Sequence, residues 1–245
     1  SRFLSTRNKI RKNAFLFKIR RPRDHRKILL YKLHDENILD RGDWSWLTNE
    51  KFDQNQVSST INIFQENLNL DKIKFLYDSF PHMLQDEPSD TYDTISSWTD
   101  HQTRSYENSY FYICTETYTH GEQKSVTEKV CKPIANFMPF LFVSFCGSLK
   151  LLRNLGFKTF SGFIDESYDD EPDISRRINL VYNEIKRLST MTQEQLHNWY
   201  WSMEDILVHN HNTLLEYFEK DQYTHSLVSY LERSEEHTSE LQSRL

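Results

Sequence analysis

Short apolar runs alternate with amphipathic segments along much of the chain. Three runs predict buried strands because each is short, apolar and rich in aromatic or β-branched residues: Ala14–Ile19, Ser109–Thr115 and Pro139–Ser144. Another short run predicts a further strand over Phe157–Phe163. The strands are separated by longer segments, in which apolar positions recur at helical spacing.

Apolar residues three or four positions apart predict the helices. The predicted helices cover residues 24–38 with Asp24 as N-cap, 70–84, a stretch from Ser125 or Thr127 toward Asn136, 147–155, 174–188, and 192 to about 231. Gly156 suits the position after a helix end. Because strands alternate with helices, we predict an α/β fold: a Rossmann-like parallel sheet with flanking helices.

The organisation along the chain is uneven. Residues 13–232 form the predicted α/β domain, in which the polar stretch 50–108 is interpreted as a variable insert without an assigned role. Residues 1–12 are basic, and we expect a solvated, partly disordered stretch. Residues 233–245 include RSEEHTSELQS, which resembles a translated sequencing adapter. With no initial Met, the chain is expected to be a fragment of a longer reading frame.

Composition narrows the class of protein. The chain has 245 residues, 37% hydrophobic and 14% aromatic, which favours a folded core over disorder. Its longest apolar run, Met138–Cys146, is far shorter than the roughly 20 residues of a membrane span, so no span is predicted. The three cysteines match no CxxC spacing and are interpreted as reduced thiols of a cytoplasmic protein.

Charge suggests an anionic partner. Residues 1–32 contain twelve Lys or Arg and one acidic residue, Asp24, whereas the whole chain has a net charge of −6. A basic arm beside an acidic body suggests phosphates or nucleic acid. The alternative is a solvated terminus without a specific ligand.

Common catalytic and nucleotide motifs are missing from the sequence. With five glycines, it contains neither GxGxxG nor a Walker A loop, and no HExxH or GxSxG is present. His209 and His211 are two positions apart on a helix and face different sides, so no metal pair is predicted. The acidic run Asp165–Glu171 has the chemistry to hold a hard cation, but we favour a solvated or helix-capping role.

Two strand-to-helix turns carry the candidate chemistry. The first, Arg20–Arg26, is basic and precedes a helix, an arrangement typical of phosphate sites. The second has Glu116 at the end of a strand and Glu128-Lys129 at the start of the next helix. Carboxylates suit ribose hydroxyls, and a lysine at a helix start suits a diphosphate. The alternative is a capping box with a surface lysine.

Longer motifs carry a resemblance. The segments RRPRDHRKILLYKL, TEKVCKPIANFMPF, LKLLRNLGFKTF, IDESYDD and SRRINLVYNEIKRL together resemble a little-characterised, glycosyltransferase-like family common in viral and environmental sequences. The likeness spans most of residues 13–215. More distantly, the chain resembles the donor-binding domain of α-1,3-fucosyltransferases, which have a GT-B fold. The resemblance therefore implies the C-terminal, donor-binding half of a GT-B-like glycosyltransferase.

The resemblance also implies site residues. Glu116 and Glu128 would hold the ribose, Lys129 and Arg26 the donor phosphates, and Arg20, Arg23 and His25 are secondary candidates for the phosphates. Thr117 and Ser125 stand where the fucosyltransferases have Asn and Tyr, so the sugar is left open.

The expected reaction is metal-independent transfer from a GDP- or UDP-linked nucleotide sugar to a glycan or other hydroxyl acceptor. No cofactor is expected, and no catalytic base is named, because the resemblance places it in another domain. A viral protein would act in the host cytoplasm. Two alternatives stay open: a nucleic-acid-binding module that uses residues 1–32, and a non-catalytic structural or interaction protein.

Overall fold

The protein is an α/β domain with one parallel sheet of Rossmann-like type. The computed structural model describes residues 2–84, 103–119 and 128–219. The strands are β1 (Asn13–Ile19), β2 (Gly42–Trp46), β3 (Ser109–Thr115) and β4 (Phe140–Val143). They lie in the order β2-β1-β3-β4, and every neighbouring pair is parallel. The predicted fold class and three of its strands are confirmed.

The strand order reverses at β1. The chain passes from β1 to β2 on one side and later returns to the other side as β3, which pairs with β1 through Phe15–Phe111 and Leu16–Tyr112. At such a reversal the connections leave in opposite directions, and a crevice opens beyond the carboxyl ends of the two strands. This edge of the sheet is where the two predicted turns lie.

Ten helices among the described residues surround the sheet. They are α1 (Arg2–Ser5), α2 (Asp24–Asp35), α3 (Gln54–Ile63), α4 (Leu70–Tyr77), α5 (Thr103–Asn108), α6 (Glu128–Ala135), α7 (Ser148–Asn154), α8 (Ile174–Ser189), α9 (Gln193–Trp201) and α10 (Glu204–Glu219). Short 3-10 turns cover Leu39–Arg41 and Ser167–Asp170. None of the helices in these ranges is long and apolar enough to cross a bilayer.

The core lies on both faces of the central strands. All seven residues of β3 are buried, as are all of β1 except Lys18. Such continuous burial is expected of a parallel sheet covered on both sides, which explains why these strands have apolar runs instead of alternating patterns. On α8, the predicted apolar stripe is confirmed by complete burial of Ile178, Val181 and Ile185.

The sequence pattern missed β2. Its residues, GDWSW, begin with Gly and Asp, which are depleted in strands. Gly42 is required by a close approach: a Cβ atom there would lie 2.3 Å from the ring of Phe15 on β1. The formation of β2 therefore depends on packing against β1, which local strand propensity does not predict.

The strand predicted over Phe157–Phe163 is wrong. The segment is irregular, and its one ladder contact is an isolated bridge between Ser161 and Ile164. Gly162 has φ +91°, a left-handed conformation that interrupts an extended run. Beside it, the backbone N–H of Phe142 on β4 donates to the Tyr168 hydroxyl at 3.2 Å, so a side chain occupies the edge that a fifth strand would use.

Helix ends differ from the expectations in three helices. In α2, Asp24 lies in the first turn, Arg23 is the N-cap without a side-chain cap bond, and the helix predicted over 24–38 ends at Asp35. The helix predicted over 70–84 ends at Tyr77. The long C-terminal helix is two helices, α9 and α10, the first begun by a capping box at Thr192. The stop at Gly156, with φ +89°, is confirmed.

The stretch interpreted as a variable insert contributes to the core. Val57 and Ile61 of α3 and Ile73 and Leu76 of α4 are buried. Both helices begin with side-chain caps, from Asp53 and Asn69. The expected caps of α6 at Ser125 and Thr127, and residues 233–245, lie outside the described residues.

The N-terminal stretch is tied to the body of the protein through Phe3 and Arg11, while most of the residues between them are exposed, as expected of a solvated stretch. Phe3 is buried and stacks on Phe137 at 4.3 Å. Arg11 is 6% exposed and donates to the backbone carbonyls of Tyr106 and Ser109 and to the Tyr200 hydroxyl. Aromatic contacts at Phe3 and buried charge-assisted hydrogen bonds at Arg11 therefore anchor this basic segment at two positions.

Candidate functional site

The turn between β1 and α2 places cations at the carboxyl edge of the sheet. Arg20 and Arg21 are exposed and Arg23 is half-buried. The Arg23 guanidinium lies 5.3 Å from the centre of the Tyr118 ring, which follows β3 and is 41% exposed. These side chains stand beside the amino end of α2, where the helix dipole favours negative charge.

Arg26 lies beneath this surface and holds the backbone. It is 5% exposed. Its guanidinium donates to the carbonyl oxygens of Arg21 at 2.9 Å, Thr115 at 3.0 Å and Glu116 at 2.9 Å. Burial lowers the pKa of Arg26, while the nearby Glu116 raises it. Arg26 therefore ties the β1 turn to the end of β3, which is the physical role of a positioning residue.

His25 makes a similar contact. It is 6% exposed, and its Nε2 lies 2.9 Å from the carbonyl oxygen of Glu116. Because that oxygen accepts, the geometry selects the tautomer with a proton on Nε2. His25 and Arg26, both in the first turn of α2, therefore contact the same atom, the carbonyl oxygen of Glu116.

The predicted carboxylate and lysine are neighbours. Glu116 is 2% exposed, and its Oε2 lies 3.8 Å from Nζ of Lys129, whose side chain is 27% exposed. The Thr117 backbone N–H also donates to Oε2 at 3.3 Å. Lys129 is the more accessible partner, so an approaching anion would meet the lysine and not the carboxylate. Glu128 begins α6, but its side chain lies outside the described residues.

A second buried arginine holds the loops that follow β3 and β4 at the same edge of the sheet. Arg177 of α8 is 2% exposed. Its guanidinium donates to the carbonyl oxygens of Thr119, Ser144, Glu171 and Pro172. Burial lowers the pKa of Arg177. Thr119 follows β3 and Ser144 follows β4, so this residue fixes the loops after both strands.

The acidic run has a structural role at one position. Asp169 is 4% exposed, and its carboxylate accepts from the Ser148 hydroxyl and the Leu149 backbone N–H, both at 3.0 Å. It caps α7, as the capping interpretation predicted. Within the described ranges, no group of three or more His, Cys, Asp or Glu residues could hold a metal ion.

The basic residues of the N-terminal stretch lie elsewhere. The Arg7 guanidinium contacts Glu204 and lies 4.9 Å from the Trp201 ring. Arg11 bonds at the start of β3. These contacts occupy the opposite edge of the sheet, so the structure does not bring Arg7 or Arg11 together with the turn residues.

Comparison with family models, curated proteins and solved structures finds no match to this chain. The geometry of the site brings Arg20, Arg23, His25, Arg26 and Glu116 to one edge with Lys129, as the sequence predicted.

Sequence reasoning missed two residues at this edge. Tyr118 was identifiable, because an aromatic residue just beyond a buried strand end stands where ligands bind in such sheets. Arg177 had no local signal: it is one of two adjacent arginines on an amphipathic helix, and only the packing of α8 against the strand ends shows which of them is buried.

Proposed function

We propose that this protein is the nucleotide-sugar-binding domain of a glycosyltransferase and binds its donor at the crevice between β1 and β3. The observation that carries the proposal is that the basic turn after β1 is bonded through Arg26 to Glu116, beside Lys129, at the carboxyl edge where the strand order reverses. This edge is the usual ligand position in open α/β sheets. Cations beside a helix amino end there suit a diphosphate.

The residues have two kinds of task in this proposal. Lys129, Arg20 and Arg23 neutralise the diphosphate, with the dipole of α2 as a further favourable term. Arg26, His25 and Glu116 have a positioning role. Arg26 and His25 hold the backbone of Glu116, and the Glu116 carboxylate holds Lys129. Glu128 is assigned to the ribose on the resemblance alone.

Tyr118 is assigned to the nucleobase. Its ring is 41% exposed beside the Arg23 guanidinium. Aromatic rings on such edges stack on bases with little preference among them, and stacking is worth about 1–3 kcal/mol per base. The donor nucleotide, GDP- or UDP-linked, is therefore set by contacts other than this ring.

In the transfer, the bond between the sugar and the diphosphate breaks and an acceptor hydroxyl oxygen bonds to the sugar carbon. Negative charge develops on the leaving nucleoside diphosphate, which Lys129 and the arginines stabilise. The acceptor is a glycan or another hydroxyl compound, and its proton passes to a base outside the residues assigned here. Holding the donor in one orientation is the part of catalysis that this domain supplies.

Thermal unfolding with GDP, UDP, ADP, CMP and their common sugar conjugates tests the proposal. A ligand at a hundred times its Kd stabilises by about 2.7 kcal/mol, a Tm shift of roughly 5–10 °C at this size. The shift should be lost in Lys129→Ala, reduced in Tyr118→Ala and kept in Tyr118→Phe. Lys74→Ala, on the exposed side of α4, is the matched control and should keep it.

Absence of a shift with every nucleotide, in a sample that unfolds cooperatively, would contradict the proposal. Binding of single-stranded DNA or RNA with a steep salt dependence, unaffected by Lys129→Ala, would favour the nucleic-acid alternative instead. Binding of neither class would favour the non-catalytic alternative.

A further inference from the structure

A cavity of about 840 Å³ lies beside β4, on the flank of the sheet. We call it the flank groove; its lining includes Arg153, Ser161, Phe163, Asp165, Asp170 and Arg187. Its volume lies within the usual range for small-molecule sites. Among the described residues, none assigned to the nucleotide crevice lines it, so its occupant is a different ligand or a different part of one.

The irregular segment from Phe157, which forms much of the groove, is fixed by hydrogen bonds to α8, α9 and α10. The Asp165 N–H donates to Glu184 of α8 at 3.1 Å, and Trp199 of α9 donates to the Phe163 carbonyl oxygen at 3.1 Å. Asn210 of α10 pairs with both backbone groups of Lys158, at 2.7 and 2.8 Å. A loop without regular structure but with fixed anchors is preorganised, which reduces the entropy lost on binding.

Most charges in the groove are already paired. Arg187 bonds to Glu184 at 2.6 Å, and Arg153 lies 3.5 Å from Glu166. Both arginine side chains are still 47% exposed, and a guanidinium has five N–H donors, more than these pairs use. The groove therefore offers directed donors without a large excess of positive charge.

Acceptors stand beside these donors. The Asp170 carboxylate is exposed and has no hydrogen bond or ion pair with the residues that the structure describes. Asp165 is exposed as well, and one of its oxygens is used by the Ser167 N–H at 3.0 Å. Ser161 adds a hydroxyl that can donate and accept. Carboxylates on this wall disfavour a phosphate or another anion.

We infer that the flank groove binds a neutral, hydroxyl-rich ligand, a glycan. Sugar hydroxyls both donate and accept, so neighbouring guanidinium and carboxylate groups satisfy them in pairs. The half-buried Phe163 ring adds an apolar surface for the C–H face of a sugar ring. The lining carries both signs of charge, with two arginines beside Asp165, Glu166, Asp169 and Asp170, and two of these carboxylates, Glu166 and Asp169, are already bonded within the fold.

One end of the groove reaches the ligand edge of the sheet. Asp169 lines it and also caps α7 directly after β4, where its carbonyl oxygen accepts from Gly147 N–H at 2.7 Å. A glycan in the groove would therefore extend toward the edge where the donor is proposed to bind. Its assignment as the acceptor side of the reaction rests on the proposed function; its binding does not.

Saturation-transfer NMR on the full chain tests the inference, with maltotriose, cellotriose, chitotriose and N-acetyllactosamine as probes and no nucleotide present. At least one should bind in the wild type. Asp170→Asn and Phe163→Ala should each weaken its binding at least fivefold. Asp71→Asn, at an exposed carboxylate on α4 that does not line the groove, should leave binding unchanged.

No transfer to any probe, or binding that Asp170→Asn and Phe163→Ala both leave unchanged, would overturn the inference. A nucleotide-induced Tm shift measured on the same variants separates the two proposals. Binding of an oligosaccharide without a nucleotide-induced shift would support the flank groove and contradict the donor site. A nucleotide-induced shift without oligosaccharide binding would support the donor site and contradict the flank groove.

Discussion

The carboxylate of Glu116 lies 3.8 Å from the ammonium group of Lys129. Glu116 follows β3 and Lys129 stands in the first turn of α6, so the pair links the end of a strand to the start of the next helix. Since a buried carboxylate depends on nearby positive charge, Lys129 has a structural as well as a binding role. The two roles need separate measurements.

Glu116 and Lys129 are expected to be energetically coupled. In a cycle of Glu116→Gln, Lys129→Met and the double variant, urea unfolding should give a coupling of about 1–2 kcal/mol, because each single change leaves the other charge without this partner. Nucleotide affinity should fall in both variants that lack Lys129. Additive free energies of unfolding would show that the pair is not an interacting unit.

Arg26→Met should destabilise the fold by about 2–4 kcal/mol, because three backbone carbonyl oxygens lose a buried, charged donor. Arg26→Lys should recover only part of this, since one ammonium group cannot reproduce the guanidinium fork. Arg20→Met, at an exposed position of the same turn, should stay within about 0.5 kcal/mol of the wild type. Equal urea midpoints for Arg26→Met and Arg20→Met would contradict the role of Arg26 in holding these three carbonyl groups.

Substitution of two adjacent aspartates, Asp169 and Asp170, should have very different effects on the free energy of unfolding. Asp169→Ala removes the cap of α7 and is expected to lower the free energy of unfolding by about 1–2 kcal/mol. Asp170→Ala removes an exposed carboxylate and should change it by less than about 0.5 kcal/mol. The comparison uses chemical unfolding of both variants, and a larger loss for Asp170→Ala would reverse the assignment.

His211 should make the protein less stable in mild acid. Its ring stacks on Phe137 at 3.9 Å, and burial lowers the pKa of His211, although backbone hydrogen bonds at Ile134 and Ala135 oppose the shift. A lowered pKa means that the unfolded chain takes up the proton first. Stability is therefore fully present above the ordinary histidine pKa of about 6.5 and is lost as the pH falls below it.

Tm measured at pH 7.5 and pH 5.5 tests this expectation. The drop between the two should be smaller in His211→Phe, which keeps a ring for stacking and cannot be protonated. His34→Phe, at a histidine on α2 remote from this cluster, should drop as much as the wild type. An identical drop in all three proteins would exclude His211 as the source.

The sequence determined the class of fold and the elements that carry the ligand edge. Buried strands such as β1 and β3 need continuous apolar runs, and α8 needs an apolar stripe. Both patterns can therefore be recognised in the amino-acid sequence. The placement of Arg20, Arg23, Glu116 and Lys129 at strand ends and helix starts follows from the same pattern, because parallel strands bring their carboxyl ends to one edge.

Tertiary structure alone decided which of these side chains are accessible. Arg26 and Arg20 have the same chemistry, yet Arg26 is buried on backbone carbonyls and Arg20 is exposed. Strand β2 and the irregular segment from Phe157 exist through contacts with Phe15 and with helices distant in sequence. Such contacts depend on packing between segments that a local pattern does not relate, so only the folded chain shows them.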